Sequence, residues 1–237
     1  MLEKILYWSE RTIAKLYTAL LLEMDVQWHA PLPAGPKIIA VNHPTTTDPF
    51  LITGLFSEQM SILTRESCFK LPLFGSYLRR AGHVPVIGGN GRAALAEATR
   101  LIAAGRTIGI FPEGVLSPLN GGVGKPHTGV VRLALSTGAP VIPVGIHLQH
   151  ERIRIIKTQI DDMPEIIRWY FRGPYAITVG EPIRFAGNEE DREYVRSVSE
   201  HIMQRIDQLA YQSALRLQQA SPALANGSMP VPVEVAG

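Results

Sequence analysis

A histidine and an aspartate lie five residues apart in a short polar loop, residues 41–50 (VNHPTTTDPF), between two apolar segments. Imidazole is the side chain whose ordinary pKa suits proton transfer near neutral pH, and a carboxylate can hold it in one tautomer. His43 and Asp48 therefore have the chemistry of a general base and the residue that orients it. A structural interpretation is also open, because Asp48 followed by Pro49 is typical of an N-cap with proline at the first helical position.

A second polar segment, residues 111–114 (FPEG), ends a buried strand predicted over 107–111, as His43 follows a strand predicted over 37–41. In open α/β sheets, functional sites gather at the carboxyl ends of strands. A glycine turn at 88–91 precedes a predicted helix, a setting that can bind anions, although an ordinary tight turn is the simpler explanation.

The elements that must position these residues alternate between strands and helices. This order predicts an α/β fold with a mostly parallel, mixed sheet flanked by helices, an N-terminal amphipathic helix and a long C-terminal helix. We predict strands over 25–29, 37–41, 61–64, 83–87, 107–111, 141–146 and 176–179, and helices over 2–24, after the 43–48 loop, and over 92–104, 128–137 and 192–219.

The composition excludes several kinds of protein and site. The 237 residues are 46% hydrophobic and 19% charged, which is enough for one folded domain, and the net charge of +2 is too small to indicate nucleic-acid binding. The single cysteine, Cys68, excludes an internal disulfide and a cysteine-based metal cluster. The spacings of the histidines match no metal signature, so we expect no metal site; those considered are His43, His83, His127, His147 and His150.

The N-terminal segment is amphipathic. Its longest uninterrupted apolar stretch, 16–22, is too short to span a bilayer, but aromatic side chains among apolar residues at helical spacing suit a membrane interface. Packing of this helix on its own domain is an equal alternative. We expect an N-terminal membrane-proximal helix at 1–30, one domain at 31–220, and a disordered tail at 221–237.

The motifs together resemble the glycerolipid acyltransferases, and within that family the 1-acylglycerol-3-phosphate (lysophosphatidate) acyltransferases. Residues 43–48 (HPTTTD) match the H-x-x-x-x-D block, and residues 111–114 match the F-P-E-G block. Residues 82–86 (GHVPV) and 141–144 (VIPV) fall where the family has its second and fourth blocks. The four blocks occur in the family's order.

The resemblance implies transfer of a fatty acyl chain from acyl-CoA or acyl carrier protein to the hydroxyl of a lysolipid acceptor, with no cofactor. His43 would act as the general base and Asp48 as its orienter, while Glu113, Gly114 and Asn42 would bind substrate. It also implies peripheral attachment to the cytoplasmic side of a membrane. A basic, apolar stretch between 65 and 92 is suited to anionic headgroups or to the phosphates of the donor.

Two departures concern the arginines with which the family is thought to hold the acceptor's phosphate. Gly88 and Leu116 stand where those arginines are usual. We expect Arg92, Lys125 or the backbone of the 88–91 turn to replace them, or the acceptor to differ from lysophosphatidate. A phospholipid-dependent transacylase and a catalytically silent membrane-binding relative stay open as alternatives.

Overall fold

The computed structural model describes residues 2–160 and 163–220, of which 2–4 and 163 are described by their backbone alone. The tail predicted at 221–237 lies outside the described residues.

A seven-stranded mixed sheet forms the centre of the fold, in the order β1-β9-β6-β2-β5-β3-β4. Strands β6, β2, β5, β3 and β4 run parallel, while β9 is antiparallel to β6 and pairs in parallel with the edge strand β1. A separate hairpin pairs β7 with β8. The strands are β1 Leu22–Trp28, β2 Ile38–Val41, β3 Met60–Arg65, β4 Val84–Val86, β5 Thr107–Ile110, β6 Val141–Leu148, β7 Arg154–Ile160, β8 Met163–Trp169 and β9 Gly173–Val179.

Helices cover both faces of the sheet, which confirms the predicted α/β class. Successive residues of a strand point to opposite faces, so Ile38 and Ala40 pack with α5, α6 and α7, whereas Ile39 and Val41 pack with α1 and α2. The helices are α1 Leu2–Leu21, α2 Asp48–Leu55, α3 Glu66–Lys70, α4 Phe74–Ala81, α5 Gly91–Ala103, α6 Gly129–Thr137 and α7 Arg192–Ala220. Within the described residues, no helix combines the length and apolar character needed to cross a bilayer.

The main differences from the sequence expectation lie at the N-terminus, between β3 and β4, and before β9. Helix α1 ends at Leu21 rather than at residue 24, and β1 starts at once, so residues 22–28 form an edge strand of the main sheet. The short helices α3 and α4 and the β7–β8 hairpin were not predicted. The hairpin leaves several large apolar side chains exposed, so it lacks the burial pattern by which strands are recognised.

Helix α7 lies directly on β6 at Gly145. A Cβ added at this glycine would come 2.0 Å from the backbone nitrogen of Ala210 on α7, and the backbone cannot yield as a flexible side chain can. We expect Gly145→Ala to lower the free energy of unfolding by about 3 kcal/mol, because the helix must move off the sheet. Urea denaturation measures the change.

Gly91, the first residue of α5, is the matched control for this glycine substitution. A Cβ added there meets no atom within 4 Å. We expect Gly91→Ala to change the free energy of unfolding by less than about 1 kcal/mol, since alanine only restricts the unfolded chain. Equal effects of the two substitutions would contradict the packing described for Gly145.

Candidate active site

His43 and Asp48 meet at the carboxyl end of β2. His43 follows the strand by two residues and Asp48 opens α2. The Nδ1 atom of His43 lies 3.2 Å from Oδ2 of Asp48, and the imidazole stacks on Phe111 with ring centroids 4.2 Å apart. The Asp48 side chain is fully buried, while that of His43 is 18% exposed. The histidine thus turns Nδ1 to the carboxylate, and Nε2 lies on the other side of its partly exposed ring.

Three further donors hold the carboxylate of Asp48. The backbone N–H of Thr45 donates to Oδ2 at 2.7 Å, and the Thr45 hydroxyl donates to Oδ1 at 2.5 Å. The Tyr175 hydroxyl on β9 donates to Oδ1 at 2.9 Å. Burial raises the pKa of Tyr175 well above its ordinary value, and the charge of Asp48 raises it further, so the phenol keeps its proton. These bonds compensate a buried carboxylate and fix its direction.

The N-cap interpretation of Asp48 is wrong. Helix α2 begins at Asp48, Thr47 occupies the capping position, and no side chain there bonds to the first turn. The carboxylate turns back toward Thr45 and His43 instead of toward the amides of the helix. Pro49 lies in the first turn of the helix, but as its second residue and not at the first position that this interpretation predicted.

Glu113 is buried against the backbone of His43. Its Oε1 accepts the His43 backbone N–H at 3.1 Å and the Ser117 hydroxyl at 2.6 Å, and its Oε2 accepts the backbone N–H of Gly124 at 2.6 Å. The His43 N–H also reaches Ser117 Oγ at 2.9 Å, and the Ser117 N–H donates back to the His43 carbonyl at 2.8 Å. The F-P-E-G segment therefore fixes the position of His43, while its expected contact with substrate stays a prediction.

Asn42 and Gly114 also have structural roles near the site. The buried amide of Asn42 donates to the carbonyl of Ile146 at 2.9 Å and accepts its N–H at 2.7 Å, which ties the end of β2 to β6. Gly114 has a φ of 62°, and a Cβ there would come 2.8 Å from Cδ2 of His127. The positive φ therefore favours glycine in the turn after Glu113, and a side chain there would also have to displace the ring of His127.

Arg92 and Lys125, the expected phosphate contacts, lie at the same end of the sheet but make no contact with the His43–Asp48 pair within the described residues. Arg92 is exposed in the first turn of α5, beyond the end of β4. Lys125 is exposed next to Gly124, whose N–H binds Glu113. Their role in substrate binding stays a prediction.

Two residues of the site were not found from the sequence. Tyr175 lies on β9 and Arg168 on the hairpin strand β8, and both reach the 43–48 loop from more than 120 residues away. No spacing rule connects such distant positions. A usable signal for Tyr175 was its hydroxyl in an otherwise apolar late strand, since a buried tyrosine needs a partner.

Among the described residues, no group of three histidine, cysteine or carboxylate side chains is arranged to hold a metal ion. His147 and His150 do approach each other, with ring centroids 5.6 Å apart. Burial lowers the pKa of His147 to about 4, so its imidazole is neutral at physiological pH.

Known proteins are similar to this chain in sequence. A family model described as Acyltransferase matches residues 23–147. The chain is 27% identical over 141 residues to the 1-acyl-sn-glycerol-3-phosphate acyltransferase of Pseudomonas aeruginosa, covering 58% of this chain and 52% of that protein. It is 31% identical over 113 residues to the protein of the same name from Borreliella burgdorferi, covering 46% and 45%.

A solved structure is similar over most of the chain. The crystal structure of the 1-acyl-sn-glycerophosphate (LPA) acyltransferase PlsC from Thermotoga maritima has a TM-score of 0.60 and 25% identity, and the match covers 86% of this chain and 80% of that chain. The fold, the His43–Asp48 pair and the family model agree, and this chain belongs to the acyltransferase family. It spans about half the length of the two curated relatives named above.

Proposed function

We propose that the protein is an O-acyltransferase that moves a fatty acyl chain from acyl-CoA or acyl carrier protein to the hydroxyl of a lysophospholipid-like glycerolipid. The observation that carries the proposal is the His43–Asp48 pair, in which Nδ1 is engaged by a buried carboxylate and the imidazole is partly exposed. The two named relatives, both described as acting on 1-acyl-sn-glycerol-3-phosphate, support this class of acceptor.

The chemical step needs no nucleophile from the protein. Nε2 of His43 takes the proton of the acceptor hydroxyl as its oxygen attacks the thioester carbonyl. The tetrahedral intermediate then collapses, the C–S bond breaks, and the imidazolium returns the proton to the leaving thiolate. The products are an ester and a free thiol. Asp48 holds the tautomer with its proton on Nδ1 and stabilises the imidazolium.

Thiol release tests this proposal. The purified protein is mixed with a long-chain acyl-CoA or acyl carrier protein in detergent micelles, with and without a panel of lysolipids, and the lipid product is identified by mass spectrometry. Thiol release that depends on the acceptor and matches ester formed supports the proposal. Equal release without acceptor, which is hydrolysis, or ester formed only from a phospholipid donor contradicts it.

We propose further that the outer face of α1 rests on the membrane that holds the acceptor. One face of this helix is buried, at Tyr7 and Ala14, against α2 and its neighbours, whereas the other exposes a row of large apolar side chains. Leu16 is 56% exposed and Leu20 is 78% exposed. The exposed Lys15 borders this row, so an anionic bilayer is the matching surface.

Charge placed in this row measures the contact. We expect Leu16→Glu combined with Leu20→Glu to weaken binding to phosphatidylglycerol vesicles about a hundredfold. Two leucine side chains that become buried in the bilayer contribute about 3 kcal/mol or more to the binding free energy. Co-sedimentation with vesicles gives the affinity.

The matched control adds a carboxylate on the other side of the molecule. Tyr211 is exposed on α7, which packs on the opposite face of the sheet from α1. Tyr211→Glu should leave vesicle binding within about twofold, since it only adds one exposed charge. If both variants bind vesicles like the unsubstituted protein, α1 is not the membrane contact.

A further inference from the structure

The β7–β8 hairpin places the guanidinium of Arg168 between the loop that carries His43 and the loop that carries Glu113 and Ser117. Nη1 of Arg168 donates to the carbonyl of Pro44 at 3.3 Å and to the carbonyl of Ser117 at 2.5 Å. Pro44 directly follows His43, and Ser117 directly follows Leu116, the position where the resemblance leads one to expect an arginine. The guanidinium of Arg168, from a distant part of the chain, therefore lies next to Leu116 in the loop, at the position where the family usually has an arginine.

Backbone bonds fix this strand to the His43 loop. The Arg168 N–H donates to Oγ1 of Thr46 at 3.0 Å, and the Thr46 N–H donates to the Arg168 carbonyl at 2.9 Å. Strand β8 thus continues the hydrogen bonding of the loop that carries the general base. The location of the Arg168 side chain is set by main-chain geometry and not by the reach of a flexible side chain alone.

The guanidinium has donors that the protein does not use. Both carbonyls bind Nη1, whereas Nε is buried and has no hydrogen-bond partner in the part of the chain that the structure describes. Nε and Nη2 form the edge of arginine that grips a phosphate bidentately. A buried N–H without a partner is unfavourable, so an anion at this edge supplies the acceptor that is missing.

The charges around Arg168 also require a cation. Burial lowers the pKa of Arg168 below its ordinary value, and the charges of the buried Asp48 and Glu113 oppose this shift. Without a guanidinium at this place, two buried carboxylates would face an incoming phosphate. A second arginine, Arg65, donates from Nε to the carbonyl of Gly114 at 3.4 Å but is paired with Glu165 in an exposed ion pair.

We propose that Arg168 binds the anionic headgroup of the lipid acceptor and so supplies the phosphate contact that Leu116 cannot. The proposal rests on the proposed acyl transfer, and it makes the hairpin a determinant of acceptor choice. It also gives the acceptor site a phosphate contact other than Arg92, Lys125 or the 88–91 turn.

The test compares a charged with an uncharged acceptor. We expect Arg168→Ala to lower kcat/KM for lysophosphatidate about a hundredfold, mainly through KM, and to change kcat/KM for monoacylglycerol less than about threefold. The KM for the acyl donor should stay unchanged, which separates the acceptor's phosphate from those of coenzyme A. The double variant Leu116→Arg/Arg168→Ala should have a kcat/KM for lysophosphatidate at least about tenfold higher than Arg168→Ala alone.

Controls separate headgroup binding from loop structure. Arg172→Ala removes an exposed arginine close to the same hairpin and should leave both acceptors unaffected. Equal loss with both acceptors in Arg168→Ala, or no loss with either, overturns the proposal, because tying the loops together does not depend on the acceptor's charge.

A binding measurement keeps the two proposals distinguishable. If the unsubstituted protein acylates neither acceptor, the proposed acyl transfer fails, and calorimetric titration with a short-chain lysophosphatidate then decides the role of Arg168. Affinity at least about tenfold lower in Arg168→Ala supports headgroup binding. Equal affinity, or no binding by the unsubstituted protein, overturns it.

Discussion

His43→Ala is expected to lower kcat for acyl transfer about a thousandfold while changing the KM of either substrate only slightly. A positioned general base contributes about 10²–10⁴ to such a reaction, and no other imidazole contacts Asp48 within the described residues. The partly exposed ring is held by stacking on Phe111 and by the bond to Asp48, so its removal leaves the backbone bonds of His43 to Glu113 and Ser117 in place. Thiol release under saturating substrates measures kcat.

His29 is the matched control for this histidine. It is exposed and follows β1, so His29→Ala should leave kcat within about twofold. His43→Gln tests the base more strictly, since it keeps a polar side chain of similar length but cannot take a proton. Activity within tenfold of the unsubstituted protein in both His43 variants would show that the proton goes elsewhere.

Asp48→Asn is expected to lower kcat about a thousandfold and also to lower the free energy of unfolding by about 2–4 kcal/mol. Asp48 accepts bonds from Thr45 twice, from Tyr175 and from the His43 ring. The asparagine side chain would turn an NH₂ group toward some of these donors, so it cannot accept all four hydrogen bonds. It would also favour the tautomer of His43 in which Nδ1 carries no proton. Thiol release and urea denaturation measure the two effects separately.

Asp25→Asn provides the comparison at an exposed site. Asp25 pairs with Arg216 on the outer part of the sheet, and its side chain is partly exposed. We expect its loss to change stability by less than about 1 kcal/mol and to leave kcat unchanged. If Asp48→Asn were folded and as active as Asp25→Asn, the assignment of Asp48 as orienter would fail.

The sequence sufficed for the parts of the fold whose burial alternates or repeats in a regular way. The strands before His43 and Glu113 were predicted from their short runs of mostly apolar residues, and the structure buries every residue of β2 and β5. The pairing of His43 with Asp48 followed from a five-residue spacing across one loop. Such local relations leave a trace in the order of residues.

Other features of the site depend on contacts that the order of residues does not encode. Tyr175 and Arg168 reach the His43 loop only once the sheet has formed. The hairpin that carries Arg168 has no buried face, so its sequence lacks the pattern that predicts a strand. The N-cap alternative for Asp48 stayed open in the sequence for a related reason. A capping bond and a bond to Thr45 differ by a side-chain rotation, and the buried hydroxyl of Tyr175 favours the second.

The contribution of Tyr175 from β9 has a consequence for the order in which the chain is made. Its partner Asp48 lies 127 residues earlier. At about 5–20 residues per second, ribosomal synthesis separates these two residues by roughly 6–25 s. In the later part of that interval, after residues 111–114 have been made, the nascent chain carries both motifs while Asp48 still lacks the hydroxyl of Tyr175. Helix α1 precedes both motifs in the chain, so its apolar face is made before the proposed active site is complete.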